Sequence, residues 1–165
     1  MDRAGLGRQA AVLLMSEEKA KAEGHLPLAY VRAWAVAAVD PGGQLLMGPG
    51  LAIPLALERA GLQLSDMDLV EMHEAFAVQV ASNIQALESM TWAREKLGRS
   101  APVGRVDRNR LNVCGGSIAL GHPFGATGAR ITTTLANEMK RRSAKFGLLS
   151  VCAQGGMGFA MVLER

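Results

Sequence analysis

Apolar residues recur every four positions at Ile131, Leu135 and Met139, and this spacing predicts a helix over residues 124–142. Phe76, Val80, Ile84 and Leu87 repeat at three- and four-residue spacing and predict a second helix after residue 76. Three shorter helices are predicted from their start and stop signals. One begins at Ser16, with Glu17 and Glu18 in its first turn, and stops at Gly24. One covers residues 51–60, carries Ile53 and Leu57 on one side and ends at Gly61, and its Pro54 fits only if it lies in the first turn. One covers residues 90–98. Continuous apolar runs at residues 10–15, 28–39, 69–72, 146–152 and 157–163 read as strands. A turn at residues 153–156 folds the last two into a hairpin, and Asp40-Pro41-Gly42-Gly43 is another turn. Strand and helix alternate along the chain. The expectation is one α/β domain over residues 1–165, a mixed five-stranded sheet with helices on both faces.

One stretch interrupts this alternation. Residues 112–130 hold Gly115-Gly116, then Gly121-His122-Pro123, then Gly125 and Gly128 at the opening of the long helix. Pro123 fixes its own φ and pushes His122 toward an extended backbone. His122 is thereby placed on a tight loop that feeds a helix N-terminus, where free N–H groups and the positive dipole end favour an oxyanion or an anionic ligand. The alternative is a glycine-rich surface turn with an incidental histidine. The polar stretch over residues 100–110 reads as an exposed loop.

Composition narrows the classes. Apolar residues make up 49% of the 165, enough for a sizeable core. The net charge is +3, with basic clusters at Arg105, Arg108 and Arg110 and at Lys140, Arg141, Arg142 and Lys145. With aromatics at only 4%, this does not suit a nucleic-acid groove, and the expectation is no nucleic-acid partner. No stretch approaches the ~20 apolar residues that span a bilayer. Arg3 and Arg8 are not followed by a secretory apolar region with a cleavage site. An apolar run so close to Met1 suggests a piece of a longer chain.

The candidate chemistry lies on three loops. His73 stands where a strand hands over to a helix, the place where open α/β sheets put functional groups. His122 is on the glycine-rich loop. Cys152 ends a strand and leads into Gln154, Gly155 and Gly156. Cysteine with histidine runs nucleophilic or acid–base chemistry, and glycine turns supply N–H groups for a negative oxygen. Cys152 near such donors is expected to have a lowered pKa; its structural alternative is a buried core thiol. Two histidines and a cysteine spaced 49 and 30 residues apart match no short-spaced zinc motif, so no metal is expected. His25 is read as exposed, Cys114 as packing near the site, and Met90 and Met139 as core.

Several blocks in order carry a resemblance: Gly48-Pro49, Asp68 through Glu74-Ala75-Phe76-Ala77, Asn112 with Gly115-Gly116, Gly121-His122-Pro123-Phe124-Gly125-Ala126-Thr127-Gly128, and Cys152 with Gly155-Gly156-Met157-Gly158. From about residue 10 to 164 the chain resembles the C-terminal half of a thiolase, an acyl-CoA:acetyl-CoA acyltransferase. The His73-Glu74-Ala75-Phe76 form, where many thiolases carry asparagine first, resembles the thiolase (β) subunit of fatty-acid β-oxidation multienzyme complexes.

The resemblance implies thiolytic cleavage of 3-ketoacyl-CoA by CoA to acetyl-CoA and a shortened acyl-CoA. His122 would activate the nucleophilic cysteine and hold the thioester oxygen, Cys152 would be the general acid/base, and His73 would serve a first oxyanion hole directly or through a water. The backbone N–H of Gln154, where many thiolases have glycine, would serve a second, with Gly155, Asn112 and Gly121 as backbone support. CoA and acyl-CoA are expected as substrates, with no permanently bound cofactor. The acyl-carrying cysteine of the family belongs to an N-terminal half, and Cys114 does not match it. Gly7-Arg8-Gln9-Ala10 also departs from the family's usual Asp-Gly-Ala-like approach to the first strand. The expected partners are an N-terminal thiolase half, further copies of the chain, and a hydratase/dehydrogenase (α) subunit. Alone, the chain is expected to be inactive and to expose an apolar helix face at Ile131-Leu135-Met139 or Phe76-Val80-Ile84. The expected location is cytoplasmic for a bacterial-type protein and mitochondrial for a eukaryotic one. Two other readings share the fold. A non-catalytic module of lipid-transfer type has no reason to keep His73, His122 and Cys152 together. A condensing enzyme of ketoacyl-synthase type would use a different histidine pattern.

Overall fold

A computed structural model describes residues 9–165. The Gly7-Arg8 part of the departing segment, with Arg3, lies outside them. The chain runs α1 (Glu17–Ala22), β1 (Tyr30–Ala38), α2 (Pro49–Ala60), β2 (Leu69–Met72), α3 (Ala77–Glu88), α4 (Met90–Leu97), α5 (Ser117–Leu120), α6 (Thr127–Arg142), β3 (Phe146–Ala153) and β4 (Met157–Glu164). The strands form one sheet in the order β1-β4-β3-β2. β2 and β3 are parallel, with Met72 opposite Ser150, and the other pairs are antiparallel. The sheet is mixed as expected, with four strands among the described residues instead of five.

The missing strand is residues 10–15. It is irregular and outward-facing, with Leu13 and Leu14 about three-quarters exposed. A strand needs a free ladder to join. The outer edge of β2 is occupied instead by Leu111, which bridges Val70, and by Asn112, whose backbone N–H donates to Val70 O. The segment runs past the glycine-rich loop, where Gln9, Ala10 and Ala11 line a shallow cleft with Pro123, Gly125 and Ala126.

Strand alternation divides the core in two. Val70, Met72, Leu148, Ala160 and Val162 face α2 and α3. Leu69, Leu149 and Leu163 face α6, which covers them with Ile131, Leu135 and Met139. Those three α6 residues are at most 2% exposed, and Val80 and Ile84 are buried as well. The apolar helix faces expected to be open are therefore closed against the chain's own sheet; of those residues only Phe76 stays exposed. Apolar surface remains among the described residues on the sheet, at Trp34 and Val36 of β1, on helices at Val78 of α3 and Ile118 of α5, and at Phe76 and Phe124.

Helix α2 starts at Pro49, two residues before the sequence-based boundary, so Pro54 falls beyond its first turn. Proline cannot donate to the carbonyl four residues back, which is that of Gly50. Trp92 Nε1–H of α4 donates to the Gly50 carbonyl instead, at 3.3 Å. No helix among the described residues is long and apolar enough to cross a membrane.

Candidate active site

The parallel strands β2 and β3 end side by side, and both deliver a candidate there. The ladder continues one residue past β2, where His73 N–H donates to Ser150 O at 2.8 Å. β3 carries Cys152 at its end. The loop between α5 and α6 brings His122 over the same edge, so that the two histidine rings lie 4.2 Å apart between centroids, tilted by 41°. Phe124 also packs against His122, at 4.8 Å between centroids, on a backbone with φ 38°, unusual for a residue with a side chain. Gly121 (φ 96°) makes the turn before it. The helical pattern is tightened into a single 3-10 turn over Phe124–Ala126 before α6 begins.

Each histidine is held by a hydroxyl. His122 Nδ1 and Thr127 Oγ1 share a hydrogen bond of 2.8 Å, and His73 Nδ1 and Ser117 Oγ share another of 2.8 Å. Burial, then the neighbouring His122 and Arg130, push the His73 pKa down to about 4 against a weaker pull from Glu74. Burial of its ring and the Arg130 charge also lower His122. Both rings are therefore neutral near pH 7.

Cys152 is 5% exposed, and burial raises its thiol pKa, only partly offset by backbone hydrogen bonding at its own amide and at Ala75. This reverses the lowered value expected from sequence: a thiol desolvated by burial keeps its proton. Ala75 belongs to the same junction as His73, so the cysteine and both histidines gather at one corner. Cys114 is exposed, and its thiol is also raised, by partial desolvation and by a hydrogen bond to Glu138.

The support residues divide. Asn112 (φ 48°) braces the end of β2: its Oδ1 accepts from Met72 N at 2.8 Å, and its Nδ2 donates to Met72 O at 3.0 Å and to Glu74 Oε1 at 2.9 Å. Both amide protons are thereby committed, which leaves the side chain no donor for an oxyanion. Gln154 and Gly155 are exposed in the turn directly after Cys152, where Gly155 has φ 79°.

Four residues escaped the sequence reading. Glu74 accepts from Ile118 N at 3.0 Å as well as from Asn112, and its carboxylate fills the space a β-carbon on Gly116 would need. The signal was the Gly115-Gly116 pair, which marks close approach of another group. Ser117 is buried and receives Arg130 Nη2–H at 3.0 Å. Arg130 sits in the first turn of α6, where the helix dipole disfavours a cation, and that misplacement was its signal. Glu71 is 2% exposed and its pKa is pushed up to about 7, chiefly by burial, against the pull of Arg130. Among the described residues no group of three or more His, Cys, Asp or Glu side chains could hold a metal ion.

Residues 25–165 match the sequence profile of the family described as thiolase, C-terminal domain. The chain is 56% identical over 155 residues to a 3-ketoacyl-CoA thiolase of Yersinia pestis (strain Pestoides F), covering 94% of this chain and 36% of that protein. It is similar to the crystal structure of the Bacillus anthracis acetyl-CoA acetyltransferase, with TM-score 0.74 and 41% identity over 91% of this chain and 34% of that one. It is also similar to human mitochondrial 3-ketoacyl-CoA thiolase solved in complex with CoA, with TM-score 0.76 and 38% identity over 90% of this chain and 33% of that one. The chain thus spans about a third of the length of the relatives it matches.

Proposed function

Because the chain belongs to the thiolase family as its C-terminal domain, we propose that it supplies the acid–base and oxyanion side of a 3-ketoacyl-CoA thiolase site. The observation that carries this reading is the corner where His73, His122 and a protonated Cys152 meet at the ends of two parallel strands.

The thiolate that carries the acyl group comes from an N-terminal thiolase half. It attacks the 3-keto carbon, and the neutral His122 receives a proton from that thiol and holds the thioester oxygen. The bond between the α and β carbons then breaks, and its electron pair passes into the enolate of acetyl-CoA. His73 and the backbone N–H of Gln154 face the negative oxygens that develop. Cys152 delivers its proton to the enolate carbon, which completes acetyl-CoA. A raised pKa suits this role, since a general acid must hold its proton until the carbanion appears. CoA then gives its thiol proton to the Cys152 thiolate and attacks the acyl carbon, and the released enzyme thiolate recovers its proton from His122. CoA and acyl-CoA are substrates in this reading, and a relative solved with CoA supports it. Gly121 and Gly155 give the two loops their turns.

The reading extends to partners. Besides the N-terminal half, it includes association of copies of the chain and a hydratase/dehydrogenase (α) subunit in a β-oxidation complex. The bacterial relatives favour a cytoplasmic location.

Intact-mass analysis tests the assignment. The purified chain is incubated with a 3-ketoacyl-CoA and CoA, alone and with a matching N-terminal half. The expected result is an acyl adduct on the partner half only, with release of acetyl-CoA. An adduct at Cys114 or Cys152, or full turnover by the chain alone, overturns it.

A further inference from the structure

Ser117 and Arg130 lie beneath the histidine pair, and the chemistry above gives them no part. Ser117 Oγ receives Arg130 Nη2–H at 3.0 Å and lies 2.8 Å from His73 Nδ1. A hydroxyl has one proton to give and two lone pairs to offer. A guanidinium only donates, so Arg130 occupies one lone pair and leaves the hydroxyl proton in need of an acceptor. His73 Nδ1 is the acceptor that the geometry provides. If Nδ1 carried the imidazole proton, Ser117 would accept twice and its own proton would be buried without a partner, at 6% residue exposure.

Arg130 is held for this task from two directions. Glu71, two residues before His73 on the same strand, lies within its electrostatic reach, and Ser117 takes one of its N–H groups. The Arg130 Nε and Nη1 atoms are buried with no hydrogen-bond partner among the described residues, so the guanidinium's one such bond is the one to Ser117. The same charge opposes a second positive charge on His73.

We propose that Arg130 and Ser117 are positioning residues that hold His73 as the neutral tautomer protonated on Nε2. The Nε2–H is then the donor presented to the thioester oxygen. What the donor is used for rests on the thiolase reading; the tautomer is a property of this chain by itself.

Long-range 1H–15N correlation spectra of the chain labelled with 15N-histidine report the tautomer, because bare and protonated ring nitrogens resonate far apart. His73 in the unaltered chain at pH 7 is expected to show a bare Nδ1 and a protonated Nε2. Ser117→Ala removes the hydroxyl donor and Arg130→Met frees the lone pair, and each is expected to move His73 toward a mixture of tautomers. Ser117→Thr keeps the hydroxyl and is expected to retain the original pattern. An unchanged His25 signal and amide spectrum report an intact fold. A wild-type His73 protonated on Nδ1, or a folded Ser117→Ala chain with the tautomer unmoved, overturns the proposal. In the enzyme assembled with its N-terminal half, Ser117→Ala is expected to lower kcat about tenfold with KM little changed, and Ser117→Thr to restore it. An assembled enzyme without thiolysis, but with His73 in the stated tautomer, would count against the thiolase reading and not against this one.

Discussion

Gly116 shows how one position serves the site through what it lacks. The Glu74 carboxylate stands where its β-carbon would be and spends its oxygens on Asn112 and on the backbone of α5. Gly116→Ala is expected to cost about 1–3 kcal/mol in urea unfolding, since either the carboxylate or the loop must give way. Cys152→Ala in the assembled enzyme is expected to lower thiolysis by about 10²–10⁴-fold, the usual worth of a positioned acid, with the fold unaffected by circular dichroism. Two buried groups set opposing pH slopes. Between pH 6.5 and about 4 the unfolded chain binds a proton at His73 that the fold refuses, so stability falls as pH falls, by roughly 3 kcal/mol in all. The lowered His122 acts in the same sense. Glu71 acts in reverse: the fold keeps its carboxyl protonated up to about 7 while the unfolded chain releases it near 4.5, so stability falls as pH rises through that window. The wild-type slope from pH 4.5 to 6.5 is therefore expected to be much shallower than that of His73 alone. Glu71→Gln should uncover the histidine slope, with stability dropping as pH falls; a flat profile for that variant contradicts the sign given to His73. Of these residues, the sequence marks His73, His122 and Cys152 by their settings between strand, glycine and turn. It does not mark the partners of Glu74 or Arg130, because those contacts join stretches far apart in the chain.

At the scale of elements, the helix punctuation was readable. Ser16 caps α1 by accepting from Lys19 N–H, and Gly61 and Gly98 close α2 and α4 in left-handed conformations. The start of α2 was not, because the repair for Pro54 lies on another helix. Trp92→Phe removes the donor to Gly50 O and is expected to cost about 1–2 kcal/mol in denaturant unfolding. Pro54→Ala restores a backbone N–H to that carbonyl, so the same tryptophan change should cost less in the Pro54→Ala background; equal costs in both backgrounds would remove Trp92 from this role. Residues 10–15 were misjudged for a related reason. Apolar character says that a run wants burial, but only the rest of the fold says which ladder is within reach: Leu111 and Asn112 already hold the edge of β2, and the segment runs along the glycine-rich loop, not along the free edge of β1.

For the whole molecule, the alternation of strand and helix correctly placed helices on both faces of a mixed sheet, whereas the resemblance to half of a longer enzyme implied open apolar faces on helices that the chain itself covers. One open apolar surface is the outer part of the sheet, where Trp34 stacks on Phe159 at 6.5 Å and Val36 stands beside it. An edge strand with such a face invites pairing. Light scattering is expected to show concentration-dependent association of the chain, reduced by Trp34→Lys with circular dichroism unchanged. The connectivity of that sheet also orders events in time. β3 and β4 are joined by three residues and pair early, whereas β2 reaches β3 only after residues 73–145 have been looped out. Closing so long a loop is slow, because its entropy is lost before the contacts reward it. The strand pairing that seats His73 near Cys152 therefore lags the hairpin, and a chain that has formed only its hairpin and helices still holds the candidate corner in two pieces.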